Sequence, residues 1–164
     1  MSKEAYDVVI VGGGAGGCVV ASYLAENTDA SIALIEAGAS DHDPFIHIPA
    51  GFAKMLAHDR HVWTYETIPQ HGTKRAFRAG KVLGGGSSGN AMAYVRGQRR
   101  DYAAWQEAVG DTGNWSYEDL LPVFKAQEDN DTFHDEYHGI NGGLAVQLPN
   151  GINKLNQYWL KAFQ

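Results

Sequence analysis

Two glycine-rich stretches and one acid hold the residue types whose spacing could do chemistry in this chain. Gly12-Gly13-Gly14-Ala15-Gly16-Gly17 follows the apolar run Val8–Val11, and Glu36 closes a second apolar run, Ile32–Ile35. Consecutive glycines let backbone N–H groups reach a phosphate chain, and a helix beginning there adds its positive dipole end. An acid about twenty residues further on can accept both hydroxyls of a ribose. The elements needed to position these groups are also in the sequence. Val8–Val11 predicts a central parallel strand buried on both faces. Val20, Tyr23 and Leu24 recur at helical spacing and predict a helix lying on the sheet. Gly12 permits the tight turn, Gly14 the close approach of a pyrophosphate, and Gly17 close packing of helix on strand. Strand, turn, helix and acid together predict a complete dinucleotide-binding βαβ unit.

The second stretch runs from Gly80-Lys81-Val82-Leu83-Gly84-Gly85-Gly86 through Ser87-Ser88-Gly89-Asn90 to Ala91-Met92-Ala93-Tyr94-Val95-Arg96-Gly97. Glycines and serines in succession keep side chains away, so a flat ring or a phosphate chain can lie on the backbone. Only the first cluster has the strand–turn–helix–acid context, so the two are not repeats of one unit.

Bulk properties narrow the class. The 164 residues are 44% apolar and 20% charged, enough for one ordinary domain with a core and without a run that could span a bilayer. A net charge of −6 and the lack of a basic stripe disfavour nucleic acid as a partner. One cysteine, Cys18, excludes an internal disulfide, fits a reducing compartment and is expected as a small packed residue. The short polar N-terminus predicts no signal peptide, which makes cytoplasmic the expected location.

With these motifs in view, the sequence resembles the glucose–methanol–choline (GMC) flavin-dependent oxidoreductases, especially their choline-dehydrogenase-like branch. The resemblance rests on Gly12–Gly17 with Glu36-Ala37-Gly38, on Gly80–Gly97, and on Trp115-Ser116-Tyr117-Glu118-Asp119-Leu120-Leu121-Pro122. His138-Gly139 followed by Gly142-Gly143-Leu144-Ala145-Val146 extends it, so it covers Tyr6 to about Val146. It implies FAD as cofactor, with Gly12, Gly14, Ala15, Gly16, Glu36 and Ala37 on its ADP half. Val82, Gly85, Asn90, Ala91, Met92 and Ala93 would lie along its flavin half. Gly89 stands where relatives usually carry an aliphatic residue and some carry a histidine bonded to the flavin, so FAD is expected to be bound non-covalently. Trp63-Thr64-Tyr65-Glu66-Thr67 resembles the segment between the two motifs. Alternating strand residues packed on one face are the simpler expectation for Trp63 and Tyr65.

The implied activity is oxidation of a small-molecule alcohol to an aldehyde by hydride delivery to flavin N5, with oxygen or a quinone or carrier as electron acceptor. Family members are much longer, and their catalytic histidine lies near the C-terminus; no residue of this chain takes that role. The expected fold is α/β: a Rossmann-like FAD-binding domain with a parallel sheet over residues 1–100, then helical and loop segments over 101–164 leading into an incomplete substrate domain. Asn153–Gln164 predicts a helix with an apolar stripe of Leu155, Trp159 and Phe163, and the chain is expected to be the N-terminal portion of a larger or split enzyme. The missing C-terminal part would then be its partner.

Other readings are weaker on named residues. Gly85-Gly86-Ser87-Ser88-Gly89 matches the serine-hydrolase elbow in letters, but Lys81-Val82-Leu83 makes a poor entering strand. His134 and His138 lack the Glu that a metalloprotease helix places after its first histidine, so these two, like His58 and His61, are expected in solvated loops. Glu128-Asp129-Asn130-Asp131 is expected to end a helix that Ser116 caps and Pro122 bends, and Arg96, Arg99 and Arg100 to form a solvated patch paired with Asp101. A hydroxynitrile lyase of the same family, an NAD-dependent dehydrogenase and a non-catalytic flavin-binding fragment are the alternative functions.

Overall fold

The apolar runs flanking the first glycine turn become β1 (Val8–Val11) and β2 (Ile32–Ile35), which pair in parallel with Val8 opposite Ile32 and Val11 opposite Ile35 in a computed structural model. The structure describes residues 5–149, 151 and 153–163. Helix α1 (Ala15–Asn27) connects the two parallel strands and packs on both. Two short helices follow, α2 (Pro44–His47) and α3 (Gly51–Ala57). An antiparallel hairpin of β3 (Val62–Glu66) and β4 (Ala76–Gly80) then leads into a 3-10 turn over Gly85–Gly89. The second half holds α4 (Arg99–Val109), α5 (Tyr117–Gln127), a short parallel pair β5 (Glu128–Asn130) and β6 (Leu144–Val146), and α6 (Lys154–Ala162). The described chain divides between Ala93 and Tyr94 into two compact units. None of the described helices is long and apolar enough to cross a membrane.

In the first unit the α/β crossover is as expected, but its burial is not. Val9 and Val11 of β1 are 52% and 82% exposed, and Val20 and Tyr23 of α1 are also exposed. Among the described residues β1 pairs with β2 alone and α1 lies on one face, so the face carrying Val9 and Val11 stays open. Trp63 and Tyr65 alternate on β3 as expected, yet both stay exposed, with the Lys81 ammonium 3.9 Å from the Trp63 ring centre in place of an apolar cover. Among the described residues the buried apolar side chains of this unit are Met55 and Val82.

The second unit is organised around one ring and one charge. Tyr102 of α4 is buried among Trp105, Tyr117 and Phe124, with ring centres 5.6–5.9 Å away. Its hydroxyl accepts from the Gly97 amide. Ser116 caps α5 as expected, its Oγ accepting from the Asp119 amide, and α5 runs through Pro122.

The acidic run ends α5 as expected but enters a strand, with Asp129 and Asp131 exposed and Glu128 and Asn130 buried. Glu128 is fully buried in β5 and accepts from Asn130, from the Gly139 amide at 2.9 Å and from Arg96, while His138 Nδ1 lies 3.1 Å away. Arg96 also donates to the Tyr137 carbonyl, and Arg99 pairs with Glu118. The expected patch paired with Asp101 therefore does not form: Asp101 accepts from the Gln98 amide at the start of α4. Three charged or ionisable groups, far apart in sequence, satisfy one another inside the unit, which charge alone could not reveal. Burial by itself pushes the Glu128 carboxyl up. The hydrogen bonds from Asn130, Gly139 and His138 and the charge of Arg96 outweigh it and hold the pKa at about 2.

Because that folded value lies below the unfolded one, Glu128 stabilises the fold fully above the ordinary carboxylate range, and the contribution is lost as pH falls through about 2. Glu128→Gln leaves Arg96 without its buried counter-charge. It is expected to cost about 3–5 kcal/mol in urea unfolding at pH 7, and a loss below about 1 kcal/mol would contradict the assignment.

Candidate functional site

The two glycine stretches meet backbone to backbone. Gly12, at φ +98°, turns the chain out of β1, and its amide donates to the Ile35 carbonyl at 2.7 Å, so the turn is tied to β2. The Gly84 amide donates to the Gly13 carbonyl at 2.6 Å, and a Cβ on Gly85 would come within 2.8 Å of Gly14 Cα. Gly38 is equally close to the second stretch, where a Cβ would lie 2.2 Å from Lys81. The adjoining Ala39 accepts from the Leu83 amide at 3.0 Å. Residues 12–17, 36–39 and 80–85 thus form one cradle in which side chains are excluded by contact.

The open side of the cradle is different. Cβ atoms on Gly14 and Gly16 would meet nothing within 4 Å, whereas one on Gly17 would fall 1.9 Å from the Gly12 carbonyl oxygen. Gly17 therefore serves packing, and Gly14 and Gly16 leave a free face at the N-terminus of the 13-residue α1. A diphosphate fits that face, because unpaired amides and a positive helix end are exposed there without a side chain in the way.

Glu36 stands at the cradle with both carboxylate oxygens engaged: Oε1 accepts from the Gly38 amide at 2.8 Å and Oε2 from the Gly13 amide at 2.7 Å. These amides, Gly38 first and then Gly13, hold its carboxyl below the ordinary carboxylate range. Each oxygen retains a second lone pair, so the acid can brace the turn and still accept hydroxyl groups. The bracing role was not anticipated from sequence.

Of the expected contact residues, Gly12, Gly14, Ala15, Gly16, Glu36, Ala37, Val82 and Gly85 lie in or beside the cradle. Val82 is 2% exposed and bridges to Ala39. Asn90, Ala91, Met92 and Ala93 continue from the 3-10 turn as an exposed segment. In it the Asn90 side chain accepts from the Met92 amide at 2.7 Å and Met92 adopts φ +59°. Two further groups belong to the cradle. Cys18 Sγ donates to the Gly13 carbonyl, and Ser88 Oγ donates to the Leu83 carbonyl at 2.6 Å, which commits that serine to the turn.

A cavity of about 160 Å³ opens beside the second glycine stretch, floored by Met55, Val62 and Val82 and walled by Gly85, Gly86 and Gly89. Arg60, His61 and Arg78 complete its rim. His61 is not a solvated loop residue: its Nε2 lies 2.9 Å from Asp43 Oδ2, which Arg60 also holds at 2.8 Å. The Phe45 amide, His61 and the charge of Arg60, in that order, keep the Asp43 carboxyl below its usual range. His138 is likewise paired rather than solvated.

The sequence profile of the GMC oxidoreductases matches residues 6–164. The chain belongs to the GMC oxidoreductase family. An alcohol dehydrogenase [acceptor] of Pseudomonas putida is 39% identical over 161 residues, covering 96% of this chain and 29% of that protein. An oxygen-dependent choline dehydrogenase of Vibrio vulnificus is 40% identical over 147 residues, 88% of this chain and 26% of its own length. The solved structure of a pyridoxine 4-oxidase from Mesorbium loti superposes with a TM-score of 0.86 at 38% identity, over 96% of this chain and 31% of that one. The GMC chain thus spans under a third of the length of these relatives, and the α/β Rossmann-like fold expected from the motifs is the fold it shares with them.

The two kinds of glycine separate experimentally. Gly17→Ala is expected to cost about 3 kcal/mol or more, because the Gly12 carbonyl must move. Gly16→Ala, with open space at its Cβ inside a helix, is expected to leave stability unchanged or slightly raised in thermal unfolding. Glu36→Ala should speed hydrogen exchange at the Gly13 and Gly38 amides. In the wild type, their protection should persist to a pH below the ordinary carboxylate range, because the folded pKa is lowered.

Proposed function

We propose that the chain is the FAD-holding portion of a flavin-dependent oxidoreductase that oxidises the CH–OH group of a small alcohol to an aldehyde. The observation that carries this reading is the single cradle made by residues 12–17, 36–39 and 80–85, with its open face at the start of α1. Gly14, Ala15 and Gly16 would hold the pyrophosphate on backbone amides, while Gly12, whose own amide is taken by the Ile35 carbonyl, would shape the turn around it. Glu36, with Ala37 beside it, would take the adenosine ribose on its remaining lone pairs. Val82, Gly85 and Asn90–Ala93 would line the flavin half, held non-covalently, since Gly89 offers no side chain for attachment. FAD, when bound, supplies the hydride-accepting chemistry. This chain's own residues bind and orient it; the base that takes the alcohol proton is not among them.

Relatives named for alcohol, choline and pyridoxine oxidation support the reaction class, and their differing substrates leave the alcohol itself unassigned. The exposed apolar residues Val9, Val11 and Ile35 of the β1–β2 sheet and Leu155, Trp159 and Phe163 of α6 suit surfaces covered by the further two-thirds found in those relatives. That further part would supply the catalytic histidine and the substrate domain, and oxygen or a quinone would accept the electrons. The single Cys18 suits a reducing, cytoplasmic location.

Titration with FAD, followed by quenching of flavin fluorescence, tests the reading. The wild type is expected to bind, and Gly14→Val, whose side chain enters the open face, to bind at least tenfold more weakly with an unchanged circular-dichroism spectrum. Equal binding by both would contradict it.

A further inference from the structure

In the turn between α3 and β3, two residues other than glycine adopt the left-handed backbone region: Asp59 at φ +49° and His61 at φ +58°. Such a conformation persists only where surrounding contacts hold it. Each side chain has its own anchor. Asp59 pairs with Arg78 at the surface. His61 instead reaches back 18 residues, and its Nε2 lies 2.9 Å from Asp43 Oδ2. The Asp43 side chain is 7% exposed, and its other oxygen, Oδ1, caps α2 by accepting from the Phe45 amide. An ionised carboxylate only accepts, so His61 presents an N–H to it. Arg60, at 2.8 Å, supplies the counter-charge that lets this carboxylate stay in a shielded place.

The His61 conformation is used by the backbone. Its carbonyl accepts from the Lys81 amide at 2.7 Å, extending the β3–β4 ladder by one bond. The Lys81 backbone in turn lies against Gly38, and the Leu83 and Gly84 amides then donate to Ala39 and Gly13. The Lys81 bond thus comes first in the run of tethers that lay the second glycine stretch on the cradle, and its partner stands outside the cradle. A His61 relaxed to an ordinary φ would swing its carbonyl away from that amide. We infer that Asp43 is a positioning residue: by holding His61 in the left-handed region it sets where the second glycine stretch begins, and so where Val82 and Gly85 stand. Only the consequence for FAD rests on the reading proposed above.

Amide hydrogen exchange of the full chain without FAD, read at Lys81, is the test. Asp43→Ser keeps an N-cap for α2 but is too short to reach His61. It is expected to speed exchange at Lys81 at least tenfold, with the Phe45 and Val8 amides unchanged within about twofold. His61→Gly adopts a positive φ freely and is expected to stay within about threefold of the wild type at Lys81. His61→Ala, which does not, is expected to speed exchange there at least tenfold. In the double variant Asp43→Ser/His61→Gly, Lys81 should exchange as in His61→Gly alone, whereas a merely structural role for Asp43 would still show its loss. Unchanged exchange at Lys81 in Asp43→Ser, equal acceleration at Val8, a further loss in the double variant, or no difference between His61→Gly and His61→Ala would overturn the inference. FAD titration is the second readout: Asp43→Ser is expected to bind at least fivefold more weakly, and the double variant as His61→Gly does. Wild-type affinity in Asp43→Ser would also overturn the inference. A wild type that binds no FAD would count against the cofactor reading alone, since the exchange measurements contain none.

Discussion

The backbone of Gly13 is the constraint on which the first unit depends. Its N–H is taken by Glu36 and its carbonyl by the Gly84 amide, so one glycine joins the end of β2 to the second glycine stretch. Around it, contacts of Gly85 with Gly14 and Gly38 with Lys81 are too close for any Cβ. Gly17, Gly38, Gly80 and Gly85 are therefore required by packing between backbones. Gly14 and Gly16, left free for a ligand, face outward from the same turn.

The second unit solves a different problem with charge. Buried Glu128 would be costly alone, but Arg96, Asn130, His138 and the Gly139 amide satisfy it. Those partners come from the segment before α4, from β5 and from the loop before β6, so the carboxylate fixes elements that share little apolar contact. Tyr102 and its ring neighbours provide the unit's aromatic cluster. The unit thus rests on one buried charge network and one aromatic cluster, while its last helix presents Leu155, Trp159 and Phe163 outward.

The βαβ unit and its glycine turn were legible in the sequence because local spacing dictates them: apolar strand, turn, helix, strand and acid are contiguous. The meetings of Gly38 with Lys81 and of Gly84 and Gly85 with the first turn were not, since nothing local marks which glycines meet across some forty to seventy residues. Glu128 does end α5 as its place in a run of acids suggests, but its burial was not legible, because only the distant Arg96 and His138 offset the cost. Burial of Val9, Val11, Val20 and Tyr23 was expected from their pattern. That pattern describes faces suited to cover, and the described chain provides no cover for them.

The central claim is that the glycine cradle holds a dinucleotide on its backbone amides. Amide hydrogen exchange with and without FAD tests it residue by residue. The account predicts slowed exchange at Gly14, Ala15 and Gly16 and along residues 82–93 when FAD is added. Protection confined to other segments, or no change at the first turn, would contradict it.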